Sequence, residues 1–214
     1  MSLKYLEIES STNGYRNIIF ILHGYGANAD DLLSIATYWK RFLPNTLFCL
    51  PNAPNVCQVS QTGFEWFDLM QTDNNKILNE KLESLKKLED TIEQKLKHLN
   101  LQHKNLILVG FSQGTMMSIQ YAVRQKNKIA GVLGYSGKIF DYKFLEKEMI
   151  SKPKMKFLHG NMDEIVPVEQ MYESLDFLKN KKFNIDCCVY ENLGHTISPD
   201  GLSDGLKFIK SISS

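Results

Sequence analysis

A chain of 214 residues, 43% hydrophobic and 23% charged, has the composition of a globular domain and the length to bury about 70% of its unfolded surface without disulfide or metal staples. A formal net charge of +1 gives no field for nucleic acid or an anionic membrane surface, so neither is expected as a partner. No run of 18 apolar residues is present to span a bilayer and the opening MSLKYLEIESS has no signal-peptide core, which points to a cytoplasmic protein without stable membrane insertion.

The predicted elements alternate in type. Tyr5–Glu9 reads as an edge strand, and Asn13-Gly14 after it is a hairpin-turn signal because both residues tolerate positive φ. Asn17–Leu22 (NIIFIL) is a continuous apolar run, as in a strand buried on both faces. Asp30–Phe42 reads as a helix and Thr46–Leu50 as a strand closed by the turn-rich PNAPN. Residues 79–100 form the longest predicted helix. Leu78, Leu82, Leu85, Leu88, Ile92, Leu96 and Leu99 recur at helical spacing, a stripe that fits packing on the chain's own sheet better than a coiled-coil seam. Leu106–Val109 is a short buried strand, Thr115–Lys126 a helix, and Ile129–Tyr135 and Lys156–Leu158 strands. Val168–Lys179 is helical, Ile185–Tyr190 a strand and Gly201–Ile212 the last helix. Strands alternating with helices predict one α/β domain over residues 1–214, with a mostly parallel central sheet and helices on both faces. Cys49, Cys57, Cys187 and Cys188 lack the paired spacing of a zinc site and read as free thiols in a reducing compartment.

Gly110-Phe111-Ser112-Gln113-Gly114 has the G-x-S-x-G pattern. A chance match in a chain this long has odds of roughly one in fifteen, so the setting decides. LILV precedes it and TMMSIQYAVRQK follows, the strand–turn–helix context in which a serine hydroxyl is lifted clear of the sheet. A serine needs a base to take its proton, and the base needs a carboxylate to fix its tautomer. On such a sheet the chain order is Ser, then Asp or Glu, then His. Beyond residue 160 only one histidine occurs, His195, in a loop after the strand DCCVY. Asp163 lies in a loop directly after the strand KFL, with Glu164 its nearest rival and Asp186 and Asp141 less well placed. An oxyanion hole needs two backbone N–H groups. Gln113, next to the nucleophile, supplies one, and Tyr25 in the glycine-rich Leu22-His23-Gly24-Tyr25-Gly26 turn supplies the other. A nucleotide-binding loop is excluded there, since no third glycine follows at the required spacing.

These motifs, with PNAP (51–54), EWFD (65–68), YSG (135–137), HGNMDEIVP (159–167) and GHTISPDGL (194–202), make nearly the whole chain resemble the carboxylesterase and acyl-protein thioesterase family of α/β-hydrolases, also labelled phospholipase/carboxylesterase. The resemblance implies an α/β-hydrolase fold without a large lid. It implies Ser112, Asp163 and His195 as the triad and the N–H groups of Tyr25 and Gln113 as the oxyanion hole. It also implies hydrolysis of short- to medium-chain acyl esters, with acyl-protein thioesters or lysophospholipids as further substrates. Tyr25 stands where the family commonly has leucine, and Thr196 where a glycine commonly follows the histidine. The apolar stretch containing Phe64, Trp66 and Met70 is a candidate wall over an acyl groove, with ordinary core packing the competing reading. No metal and no cofactor are expected, the partner is a small or lipid-like acyl ester, and the protein is a monomer or homodimer. The alternatives are a metal-dependent hydrolase on His159, Asp163 and His195, which no H-E-x-x-H-like cluster supports, acyl transfer to another acceptor on the same fold, and a catalytically silent binding module.

Overall fold

The computed structural model describes residues 2–9 and 14–213. Seven strands form one sheet in the order β1-β3-β2-β6-β7-β8-β9. The edge strand β1 (Tyr5–Glu9) runs antiparallel to β3 (Thr46–Pro51), with Tyr5 opposite Pro51. β2 (Asn17–Leu22), β6 (Leu106–Phe111), β7 (Gly131–Tyr135), β8 (Lys154–Gly160) and β9 (Ile185–Tyr190) complete it in parallel. A separate two-stranded ribbon joins β4 (Asn55–Val56) to β5 (Phe64–Glu65).

The central strands β2 and β6 are apolar at nearly every position because both of their faces are covered. Along β2, Ile18, Phe20 and Leu22 enter one core layer while Ile19 and Ile21 enter the other. The first layer is closed by α2 (Asn74–His98), α3 (Gln113–Val123) and α5 (Val168–Asn180), the second by α1 (Leu33–Trp39) and α6 (Pro199–Ile212). Leu85, Leu88, Ile92 and Leu96 of α2 are buried in the first layer, so the leucine stripe serves the core and not a partner helix.

The sequence expectations differ from this architecture in several places. Asn13 lies outside the described residues, and Gly14 has φ 89°. β1 and β2 do not form the hairpin that the Asn-Gly signal suggested, because β1 pairs with β3. The predicted helix Asp30–Phe42 is a 3-10 turn at Asp30–Leu32 followed by the short α1. α2 begins five residues early, where the Asp73 side chain accepts the N–H groups of Asn75 and Lys76. A short helix, α4 (Tyr142–Glu148), occupies a segment with no predicted element, its N-terminus capped by Asp141. No helix among the described residues is long and apolar enough to cross a membrane.

Strand order reverses between β2 and β6: the chain leaves β2 toward β3 and later returns past it to β6. At such a switch point the loops leaving the carboxyl ends of the two strands diverge and open a crevice, the usual ligand position in an open α/β sheet. The loop after β2 carries Leu22-His23-Gly24-Tyr25-Gly26, and the turn after β6 carries Ser112.

Candidate active site

Ser112 sits between β6 and α3 with φ 52° and ψ −116°, outside the usual allowed regions for an L-residue. The surroundings over-determine this conformation. Ser112 N–H donates to Tyr135 O at 2.9 Å, and the Thr115 hydroxyl reaches Gly110 O at 2.8 Å and Tyr135 O at 2.9 Å. The two motif glycines are steric requirements. A Cβ on Gly110 would lie 2.4 Å from the Gly114 carbonyl carbon and the Thr115 nitrogen, and one on Gly114 would lie 2.1 Å from Leu22 O. α3 therefore starts at Gln113, immediately behind the serine. Its first N–H groups have no partner within the helix and carry the positive end of its dipole.

The loop after β2 comes up against the same turn. A Cβ on Gly24 would stand 3.2 Å from Ser112 Cβ. Gly26 takes φ 73°, and the turn is fixed to β5 by Gly26 N–H to Phe64 O at 3.0 Å and Phe64 N–H to Ala27 O at 2.8 Å. His23 holds it from beneath: the Ala53 N–H donates to Nε2 at 2.9 Å, so Nδ1 bears the proton and donates to Gly24 O at 2.7 Å. Burial holds the His23 pKa below its ordinary value, against the pull of the Gly24 carbonyl, so the ring is neutral. The Tyr25 phenol is pushed above its ordinary value by burial and then by its contacts with the Cys57 thiol and the Glu65 carboxylate.

Asp163 and His195 come from two loops that are zipped together. Met162 N–H donates to Leu193 O at 2.9 Å, Asn161 N–H to Tyr190 O at 3.0 Å and Asn192 N–H to the Asn161 side chain at 2.8 Å. A Cβ on Gly160 would be 2.1 Å from Leu193 O, so this approach needs glycine. The result brings His195 Nδ1 to 2.8 and 3.0 Å from the two Asp163 oxygens. Asp163 Oδ1 also accepts the N–H groups of Ile165 at 3.0 Å and Val166 at 2.8 Å. Burial raises the Asp163 carboxyl, but the Val166 N–H, His195 and His159 outweigh it and hold its pKa below the usual carboxylate range. The His195 ring packs on Phe111, centroids 4.8 Å apart, which sets it beside the residue preceding Ser112. The rival acids are occupied elsewhere or exposed. Glu164 faces solvent, Asp186 pairs with Lys156 at 3.6 Å and Asp141 caps α4.

A cleft of about 420 Å³ opens at this point, lined by Gly24, Ala27, Leu32, Ile35, Phe111, His195, Ile197 and Leu202, with Asp31, Ser34 and Thr196 as further polar members. Its size is at the lower end for small-molecule sites. The three expected groove residues have different fates. Trp66 is 0% exposed and donates its indole N–H to His23 O at 3.0 Å, so it stands behind the site as a strut. Phe64 is half-buried, its ring 6.5 Å from that of His23. Met70 is 73% exposed.

Two groups at the site carry no mark in the sequence, His23 and the side chain of Gln113, and His159 stands out there only as a candidate metal ligand. The Gln113 amide accepts the Trp66 N–H at 3.0 Å and donates to Phe67 O at 2.7 Å. His159 touches Asp163 at 3.2 Å.

A family described as Phospholipase/Carboxylesterase matches residues 3–213. Proteins named acyl-protein thioesterase 1 from Saccharomyces cerevisiae (28% identical, covering 96% of this chain and 96% of that protein) and from Cryptococcus neoformans (30% identical, covering 84% and 79%) are similar along most of their length. Among solved structures, esterase PE8 superposes with a TM-score of 0.92 at 30% identity over 99% of this chain and 100% of that one. SOBER1 of Arabidopsis thaliana gives 0.80 at 25% identity, covering 92% and 98%. The chain therefore belongs to the phospholipase/carboxylesterase family, the carboxylic-ester and thioester hydrolases built on the α/β-hydrolase fold.

Proposed function

We propose that Ser112, His195 and Asp163 act as a catalytic triad hydrolysing carboxylic esters or thioesters of short to medium acyl groups. The observation carrying this reading is the paired contact of His195 Nδ1 with Asp163 beside an elbow whose serine is held at φ 52°. With Nδ1–H directed at the carboxylate, Nε2 keeps its lone pair for the serine proton. Ser112 Oγ adds to the substrate carbonyl as its proton passes to His195. The resulting imidazolium is stabilised by Asp163, and the oxyanion is received by the N–H groups of Gln113 and Tyr25. Collapse expels the alcohol or thiol, protonated by His195, and leaves an acyl-enzyme. Water, deprotonated by the same imidazole, then releases the acid. Every group the reaction needs is a side chain or a backbone N–H, so neither metal nor cofactor enters it.

The cleft beside His195 has an apolar lining that suits an acyl chain, and Met162 and Ile165 stand exposed on the loop after β8 that also carries Asp163. Both features favour a lipid-like acyl group, and the similarity to proteins named acyl-protein thioesterase 1 favours a thioester. We take the enzyme to act in the cytoplasm as a monomer or homodimer. The test is Ser112→Ala, assayed on a series of acyl esters and thioesters of rising chain length beside a fluorophosphonate label. Loss of labelling and a fall in kcat on the order of 10⁴ to 10⁶ is expected. Ordinary turnover by the folded variant would remove the nucleophile assignment.

A further inference from the structure

His159 is the penultimate residue of β8, four residues ahead of Asp163 and 1% exposed. Its Nε2 lies 2.7 Å from Val166 O and 3.2 Å from Asp163 Oδ2. A carbonyl oxygen only accepts, so Nε2 carries the hydrogen and donates it to Val166 O, with the carboxylate oxygen as a second, longer contact. Nδ1 is buried with no hydrogen-bond partner among the described residues. Protonation there would bury an N–H without an acceptor, which costs more than leaving a lone pair bare. Burial accordingly lowers the His159 pKa, more than the Val166 carbonyl and Asp163 raise it, and His195 lowers it further. Those two titratable groups, Asp163 from the loop after β8 and His195 from the loop after β9, are the ones acting on it.

Asp163 thus sits between two imidazoles. Its Oδ1 is fixed by the Ile165 and Val166 N–H groups, but those two bonds alone leave the carboxylate free to pivot about the pinned oxygen. The His159 N–H lies 3.2 Å from Oδ2, the oxygen 2.8 Å from His195 Nδ1, and so stands against the free side of the carboxylate. Val166 closes the clamp from both ends, its N–H on Oδ1 and its C=O on His159.

We propose that His159 is a positioning residue for the hydrolytic reaction, a neutral donor behind the triad carboxylate that fixes Asp163 toward His195 and draws off part of its charge. This rests on the triad reading. The electronic role has a readout that a merely structural one lacks. Without the donor, more of the carboxylate's charge faces His195, the imidazolium is favoured, and the acid limb of the kcat/KM profile moves to higher pH.

Three variants and a control decide it. His159→Leu keeps volume and removes the donor. His159→Gln can place an amide N–H where Nε2 stands, and His159→Asn is too short to do so. For His159→Leu and His159→Asn we expect kcat/KM to fall on the order of 10- to 100-fold, with the acid limb displaced upward by several tenths of a pH unit. His159→Gln returns the limb to its wild-type position and recovers most of the rate. If His159→Leu does not fold, the Gln–Asn pair carries the comparison. Equal rates and limbs in that pair, or a folded His159→Leu with the limb unmoved, overturn the proposal. Ser112→Ala, run alongside, separates the two failures. If it turns over normally, the triad reading falls and this proposal with it. If it is inactive while the His159 variants behave as wild type, only the proposal falls.

Discussion

Replacing Asp163 by asparagine tests the electrostatics of the site with almost no change of shape. Four donors converge on the carboxylate: the N–H groups of Ile165 and Val166 on Oδ1, His159 Nε2 on Oδ2 and His195 Nδ1 against both. An asparagine has one accepting oxygen and one donating nitrogen. If its oxygen stays with the two backbone N–H groups, its NH₂ takes the Oδ2 place and faces His159, whose tautomer the Val166 carbonyl fixes as a donor. That donor–donor contact costs about 1–3 kcal/mol of stability. His195 meets the same NH₂ and must turn its Nδ1 lone pair toward it, so its hydrogen moves to Nε2 and the base no longer has a lone pair for Ser112. A wrong tautomer in this role lowers kcat about 10⁴-fold, or about 5.4 kcal/mol of barrier. The assay is steady-state hydrolysis of a short acyl thioester with detection of the released thiol, beside a urea unfolding curve. The expected result is a protein that folds with a modestly lower midpoint and is close to inactive. A folded Asp163→Asn variant within tenfold of wild-type kcat would refute the argument and send attention to Glu164.

Gly114→Ala adds a Cβ 2.1 Å from Leu22 O and 2.7 Å from His23 O, both backbone atoms, so the elbow or the Tyr25 turn must move. A loss of about 1–3 kcal/mol in urea-derived stability and on the order of 10²-fold in kcat is expected, and an unchanged kcat would show that the turn is not held as described. Stability should also fall with acidification before any carboxylate titrates. His23 and His159 both have folded-state pKa values lowered from 6.5, so the unfolded chain takes up protons first. Their contribution is complete above about pH 7 and is lost as pH falls through 6.5 toward the folded values, with a limiting slope of about 1.4 kcal/mol per pH unit for each ring. A melting temperature flat between pH 7 and 5 would mean that these rings are not buried neutral. Asp163, lowered from 3.8, adds its own loss only below about pH 4.

The sheet was legible because a strand covered on both faces has little room for polar residues: NIIFIL and LILV declare themselves. The amphipathic α2, α5 and α6 were legible through their stripes. What escaped depends on length and on distant partners. α4 is seven residues with a single buried one, Leu145, too short for a period, and its one signal, the cap Asp141, had been weighed as a rival acid. The Asn13-Gly14 signal is local turn chemistry, whereas the partner of β1 is chosen by the whole sheet, and β3 took that place. The candidate triad was readable because each member rides on a motif just after a strand. The roles of His23 and His159 were not, even though His159 is grouped with Asp163 and His195 as a metal alternative, since a histidine in strand context has no mark of what its ring will meet.

The sequence leaves the apolar stretch containing Phe64, Trp66 and Met70 open between a groove wall and ordinary core packing, because apolar residues between turns look the same whether they face a ligand or the core. What separates the two is where the backbone hydrogen bonds go. Trp66 gives its N–H to the Gln113 side chain and its C=O to the Ser84 hydroxyl, Phe67 gives its C=O to the Gln113 amide, and Phe64 pairs on both sides with the turn at Gly26 and Ala27. Gln113 thus has two duties. Its N–H heads the helix behind Ser112, while its side chain grips the segment that in turn holds the Tyr25 turn. The two proposed oxyanion donors lie far apart in sequence, and a hole needs them fixed to a fraction of an ångström. One glutamine tied to both halves supplies that fixity, which explains why a segment this apolar is buried under the site and not spread over it.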